Sequence, residues 1–197
     1  VTAQSTRGRP RGTTQRELEL IAMRLFSEQG FDRTTVEQIA AAAGISGRTF
    51  FRYFTGKAEV LWYSFDDEVA ALRAAFTTVA ADEPMMAAVR RVVVNANRYR
   101  AEDVPELRTR MRLIATVPAL AATAGPHYDA WERAVSDFAA SRLGEPADGL
   151  IPMAVGRTTL AAARAAFDAW LARADADLTV YLDRALAALE RGFAPPR

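Results

Sequence analysis

The sequence predicts an all-α protein: a small three-helix head followed by a larger helical body. Three observations point there. Apolar residues recur at three- and four-residue spacing along nearly the whole chain, no stretch alternates as a strand would, and glycines and prolines cut the pattern into helix-sized pieces. With 197 residues, half of them hydrophobic and a quarter charged, the chain is long enough for one small and one larger helical core.

Residues 1–13 carry Arg7, Arg9 and Arg11 among glycine and proline, with no apolar anchor. They read as a basic arm, of the kind that reaches phosphates or a minor groove, or as a terminus without a role. The first helix starts near Thr14, where Thr14 and Glu17 have capping-box spacing. Leu18, Ile21, Ala22, Leu25 and Phe26 then form one stripe, and Gly30 ends it. A second capping box is expected at Thr34 and Glu37, opening a short helix with Val36, Ile39, Ala40 and Ala43 on one face and a stop at Gly44. Ser46 is placed to cap a third helix, Arg48 to Phe54, broken by Thr55-Gly56. From Lys57 a long helix is expected to run to about Ala80, with Leu61, Phe65, Val69, Leu72, Phe76 and Val79 as its seam. Further helices are expected over 85–101, 105–117, 119–124, 127–143, 150–173 and 177–193, punctuated by prolines.

Charge divides along the same line. Residues 1–57 hold nine basic and five acidic residues, a net of +4, whereas the rest holds 16 and 19, a net of −3. A basic head on a mildly acidic body suits a polyanion partner, although scattered solvated charge gives the same count. Cysteine is absent, which excludes disulfides and thiolate metal sites. No apolar run approaches the roughly 18–20 residues that span a bilayer, so no membrane partner is expected. The arginine-rich start lacks the apolar stretch of a secretory signal, and the expected location is cytoplasmic, on the nucleoid when bound to DNA.

Two short helices joined by Ala43-Gly44-Ile45-Ser46 have the parts of a helix-turn-helix. Gly44 serves the tight turn, Ala40 and Ala43 permit a close crossing, and Ile45, Phe50 and Phe54 anchor the second helix. Its other face offers Arg48, Thr49, Arg52 and Tyr53 within one and a half turns, donors suited to phosphates and base edges.

The run from Thr34 to Lys57 resembles the signature of TetR-family regulators: Thr34-Thr-Val-Glu-Gln-Ile-Ala, then Ala-Gly-Ile-Ser, then a recognition helix closing on Tyr53, Phe54 and Lys57. The resemblance implies a homodimer of all-helical subunits, with a DNA-binding domain over 14–57 and a ligand-binding and dimerisation domain over 58–197. It further implies that Thr35, Tyr53 and Lys57 contact phosphates of double-stranded operator DNA and that Ser46 and Thr49 lie near backbone and bases. The chain departs from the pattern at two places. Arg48 stands where a small residue is usual, and is read as a guanine reader or a phosphate contact. Phe51 stands where tyrosine is usual, and either meets a thymine methyl or packs.

Arg48-Thr-Phe-Phe-Arg-Tyr-Phe, Val60-Leu-Trp, Met111-Arg-Leu-Ile, Val117-Pro-Ala-Leu, His127-Tyr-Asp-Ala-Trp and Ala169-Trp-Leu also resemble regulators of mycofactocin gene clusters. That resemblance implies a long-chain acyl-CoA as effector. In the residues themselves, Met111, Ile114, Trp131, Phe167 and Trp170 are bulky candidates for an apolar effector site, or else ordinary core. Arg108, Arg110 and Arg112, with Arg98 and Arg100 upstream, form either a phosphate-binding cluster or a solvated face. The last two helices carry two apolar stripes, Leu160, Ala163, Phe167, Trp170 and Leu171, and Leu178, Leu182, Ala185, Leu186, Leu189 and Phe193. Ala161, Ala162, Ala165 and Ala166 add a small-residue face, which together point to a dimer interface.

The expected function is a ligand-responsive repressor released from a palindromic operator by a small hydrophobic effector. The alternatives are an activator or an architectural DNA-binding protein. An enzyme is disfavoured: His127 is the single histidine, and no Gly-rich phosphate loop or metal-ligand spacing occurs, so no cofactor is expected.

Overall fold

The computed structural model describes residues 13–173 and 175–192. These form ten α-helices and one 3-10 turn, with no strand among the described residues. The chain divides into two compact units, one up to Val60 and one from Leu61 onward. Of the arm expected over 1–13, only Thr13 is among the described residues, and its hydroxyl donates to the Ala43 carbonyl at 3.0 Å.

The first unit holds α1 (Gln15–Gln29), α2 (Val36–Ala42) and α3 (Gly47–Phe50). Thr14 caps α1 through the reciprocal box with Glu17. The second box lies one residue later than expected, at Thr35 and Gln38. Thr34 is buried instead, and its hydroxyl donates to Gly30 O at 2.8 Å. Because Thr34 is committed to the α1–α2 connector, the exposed Thr35 takes the cap. α2 closes in a Schellman motif: Gly44, at φ 68°, donates to Ala41 O and Ile45 donates to Ala40 O. Leu18, Ala22, Met23, Phe26, Ile39, Phe50 and Phe54 are buried, all within this small unit.

The long helix expected from Lys57 begins later. Residues Glu59–Trp62 wind as a 3-10 turn, and α4 runs only over Tyr63–Thr77. Lys57 lies in the turn that precedes it, where its side chain is drawn to the α1–α2 connector rather than presented by a helix.

The second unit comprises α4, α5 (Met85–Ala96), α6 (Val104–Thr116), α7 (Pro118–Ala122), α8 (Ala124–Leu143), α9 (Leu150–Arg173) and α10 (Leu178–Glu190). Pro126 and Pro152 fall in the first turns of α8 and α9, where a proline costs no helical hydrogen bond. Its core draws Leu72 and Phe76 from α4, Val89 and Val93 from α5, Trp131 and Val135 from α8, Leu160 and Trp170 from α9 and Leu182 and Leu186 from α10. α8 and α9 cross so closely at Gly156 that a Cβ there would lie 2.7 Å from Glu132 O and 2.3 Å from Ser136 Oγ. Arg90 of α5 grips Asp183 of α10 bidentately at 2.7 and 2.8 Å.

The apolar stripes of α9 and α10 are largely used within the chain: Leu160, Ala163, Trp170, Leu178, Leu182 and Leu186 are all buried. The four alanines do not share one face. Ala161 and Ala165, four apart on one side of the helix, are exposed, whereas Ala166 is buried, because adjacent helical residues point about 100° apart. Phe193 lies outside the described residues.

Candidate DNA-binding face and effector cavity

In the first unit, Ser46 opens α3. Its hydroxyl accepts from Thr49 N at 3.1 Å and lies 2.9 Å from Thr49 Oγ1. The cap rotates the helix so that Phe50 and Phe54 point inward, and the chain continues past Phe50 as a tighter turn through Tyr53. Arg48, Phe51 and Arg52 are left exposed, with Thr49 and Tyr53 half-buried beside them. Phe51 is 56% exposed, its ring edge-on to Phe50 at 5.6 Å. The ring is thus only partly packed, and more than half of it leaves apolar surface in water. Among the described residues no ion pair ties Arg48 or Arg52 to a carboxylate, so both guanidiniums face solvent with their donors available. Thr35, also exposed, uses its oxygen as an acceptor for Gln38 N and keeps its hydroxyl proton.

Lys57 is placed differently. Its ammonium donates to Phe31 O at 2.6 Å and Thr34 O at 2.7 Å and sits 4.2 Å from the Phe31 ring centroid. Two of its three hydrogens are thus engaged, and one remains.

The second unit contains an apolar cavity of about 320 Å³. Of the residues expected at an effector site, Met111, Ile114, Trp131 and Phe167 line it together. Trp170 does not. It lines a second cavity of about 320 Å³ with Arg108 and Leu178. Trp62, Phe65 and Tyr128 complete an aromatic wall of the first cavity that the sequence reading missed. Trp62 stacks on His127 at 4.7 Å, meets Tyr128 edge-on at 5.7 Å and donates from Nε1 to Thr123 Oγ1 at 2.8 Å. His127 Nδ1 lies 2.9 Å from Asp66 Oδ1, so the single histidine braces α8 against α4. Phe65 was legible as a seam residue of α4, but nothing in the local pattern marks Tyr128 as a neighbour of Trp62.

One end of the cavity is polar. Arg110 is buried between Glu106 at 3.2 Å and Glu68 at 3.8 Å, and Tyr99 donates to Glu68 Oε1 at 3.2 Å. Burial first, then the Glu68 carboxylate, push the Tyr99 phenol well above its ordinary range, so it remains a donor at any physiological pH. Burial likewise raises Tyr128, against the opposing pull of Arg164, whose guanidinium lies 5.1 Å from its ring. The arginine run is dispersed by the helix. Arg110 is internal, Arg112 is exposed, Arg108 stacks on Trp170 at 4.1 Å and Arg100 pairs with Glu102 at 2.7 Å. Arg108, Arg110 and Arg112 therefore make neither a single phosphate-binding cluster nor a single solvated face, because residues two apart on a helix point in different directions.

Residues 21–62 match the model for bacterial regulatory proteins of the tetR family, and residues 83–194 match that for the MftR C-terminal domain. The protein named as mycofactocin biosynthesis transcriptional regulator MftR, from Mycobacterium tuberculosis, is 31% identical over 96% of both chains.

The chain belongs to the tetR family, with an MftR-type C-terminal domain.

This tetR-family chain is also 33% identical to the HTH-type transcriptional regulator TcmR of Streptomyces glaucescens, over 88% of its own length and 84% of that protein. Two solved structures share its fold. Thermus thermophilus FadR, a transcriptional repressor in complex with lauroyl-CoA, superposes with a TM-score of 0.59 at 23% identity, covering 93% of this chain and 97% of that one. Bacillus subtilis FadR, in complex with stearoyl-CoA, gives 0.65 at 14%, covering 92% and 100%. Family membership makes the chain a DNA-binding transcriptional regulator rather than an enzyme. No described helix is long and apolar enough to cross a membrane.

Proposed function

We propose that this regulator is a repressor that holds a palindromic operator as a homodimer and is released by a hydrophobic effector, with a long-chain acyl-CoA as the favoured class. The observation that carries the reading is the cavity walled by Trp62, Phe65, Met111, Ile114, Trp131 and Phe167. A largely apolar space of this kind is what a fatty chain needs and what a packed structural core avoids. The acyl-CoA complexes of the two FadR proteins, on the same fold, support the ligand class.

Residues 14–57 act as the DNA-binding domain and 58–197 as the ligand-binding and dimerisation domain. Arg48, Thr49, Phe51 and Arg52 face the major groove, while Thr35, Ser46, Tyr53 and the remaining N–H of Lys57 face phosphates. α9 and α10 form the dimer interface, using the exposed Ala161, Ala165 and Val180 that the internal core leaves uncovered. Two recognition helices then lie about one DNA turn apart, roughly 34 Å. The effector acts only through its differential affinity for the released and bound shapes.

A gel shift on the DNA flanking the protein's own gene, with excess nonspecific competitor, tests this. A specific shift reversed by oleoyl-CoA supports both parts. A specific shift that oleoyl-CoA leaves intact removes the effector class, and uniform binding to all DNA favours the architectural alternative.

A further inference from the structure

The two cavities of the second unit are neighbours with a common wall. Asn97, Tyr99 and Leu107 line both. On the near side of this wall lie Trp131 and Phe167, and on the far side Trp170 and Leu178. Leu107 is a buried residue of α6, and Tyr99 belongs to the connector before it. Tyr99 is pinned by its hydrogen bond to Glu68, which in turn faces Arg110. Asn97 is pinned by donating from Nδ2 to Val93 O at 2.9 Å.

We propose that Tyr99 and Leu107 form a partition that sets the chain length at which this regulator's affinity for a hydrocarbon chain stops growing. This deepens the effector reading above and rests on it. A chain in the first cavity, of about 320 Å³, runs as far as this wall, and the second cavity offers further room once the partition yields. A chain that stops at the wall gains affinity with each carbon. A longer chain must either break the Tyr99–Glu68 bond and displace Leu107 or leave carbons in water. The partition thereby turns chain length into a step in affinity.

The test titrates the purified full-length protein with saturated acyl-CoAs from eight to eighteen carbons, followed by tryptophan fluorescence. Below the step, each added carbon should tighten binding about fourfold, the factor equivalent to about 0.8 kcal/mol per buried CH₂. Beyond it the gain should vanish. In Leu107→Ala the step should move to longer chains by several carbons. Tyr99→Phe, which keeps the ring and loses only the bond to Glu68, should lower the step's height without needing a cavity in the core. Trp170→Phe, compared with the parent protein, identifies the signal from the second cavity, which should appear only with chains that pass the wall. An unchanged length profile in both Leu107→Ala and Tyr99→Phe overturns the partition while leaving the effector site intact. Failure of every chain length to bind the parent protein overturns the effector reading, and the partition with it.

Discussion

Lys57 and Phe31 are joined twice: the ammonium donates to the Phe31 carbonyl at 2.6 Å and lies 4.2 Å from the centroid of the same ring. A third contact, to Thr34 O at 2.7 Å, ties the chain's single lysine to the residue just before the Thr35 cap of α2. Lys57 thus holds together the connector that aims α2, in addition to the phosphate role proposed for it.

The two roles separate by measurement. Lys57→Ala removes charge-assisted bonds to two carbonyls and should lower the stability of the head by about 1.5–3 kcal/mol, seen as an earlier thermal transition. If its remaining N–H also meets a phosphate, the same variant lowers the slope of log affinity against log salt by about one unit. A lost transition temperature with an unchanged salt slope would confine Lys57 to the structural role.

Arg48 is exposed on α3 beside the half-buried Thr49. Arg48→Ala should relax base preference at one operator position, costing about 1–3 kcal/mol of discrimination there while leaving affinity for random DNA nearly unchanged. Selection of binding sites from a randomised pool by parent and variant decides it. Equal weakening on every sequence would make Arg48 a phosphate contact.

α8 and α9 pack closely at Gly156, where there is no room for a Cβ. Gly156→Ala gains helix propensity but places a methyl against Glu132 O, a backbone atom that moves only with its helix. The clash should win, with a net loss of about 1–3 kcal/mol in chemical denaturation. A stability equal to or above the parent would show that the two helices separate freely.

Asp177 caps α10, accepting at Oδ1 from Thr179 N at 2.8 Å and from the Thr179 hydroxyl at 2.5 Å. The Thr179 side chain first, then its backbone N–H, hold the Asp177 carboxyl below its ordinary range. A depressed folded pKa stabilises above the unfolded value, near pH ~4, and that contribution is lost as pH falls through the folded value. Asp177→Ala should therefore cost about 1 kcal/mol at neutral pH, typical of a lost N-cap. The gap between parent and variant should close as pH falls below the ordinary carboxylate range and the parent's carboxyl protonates. A gap independent of pH would assign the effect to helix propensity.

The helical class and the head were legible because their determinants are local. Thr14 and Glu17, Gly44 at the turn, and the inward Phe50 and Phe54 are encoded within one or two turns of their partners, so spacing alone reveals them. The one-residue displacement of the second cap, from Thr34 to Thr35, marks the limit of that local logic. Two adjacent threonines offer the same hydroxyl, and the choice between them depends on Gly30 O, four residues back across a connector.

The all-helical class, the helix-turn-helix and the residues on its outward face are written in the local pattern, since a 3.6-residue period divides a helix into sides without reference to anything else. The cavity is instead a product of packing between helices far apart in the chain. Met111, Ile114, Trp131 and Phe167 are joined there by Trp62, Phe65 and Tyr128, while Trp170 falls on the far side of Tyr99 and Leu107. Whether a large apolar side chain fills a core or borders a space depends on what the facing helices bring to the same point. The burial of Arg110 between Glu68 and Glu106, on a helix whose Arg112 faces water, has the same cause. A buried charge is stable only where partners from another element reach it, and that partnership is made in three dimensions.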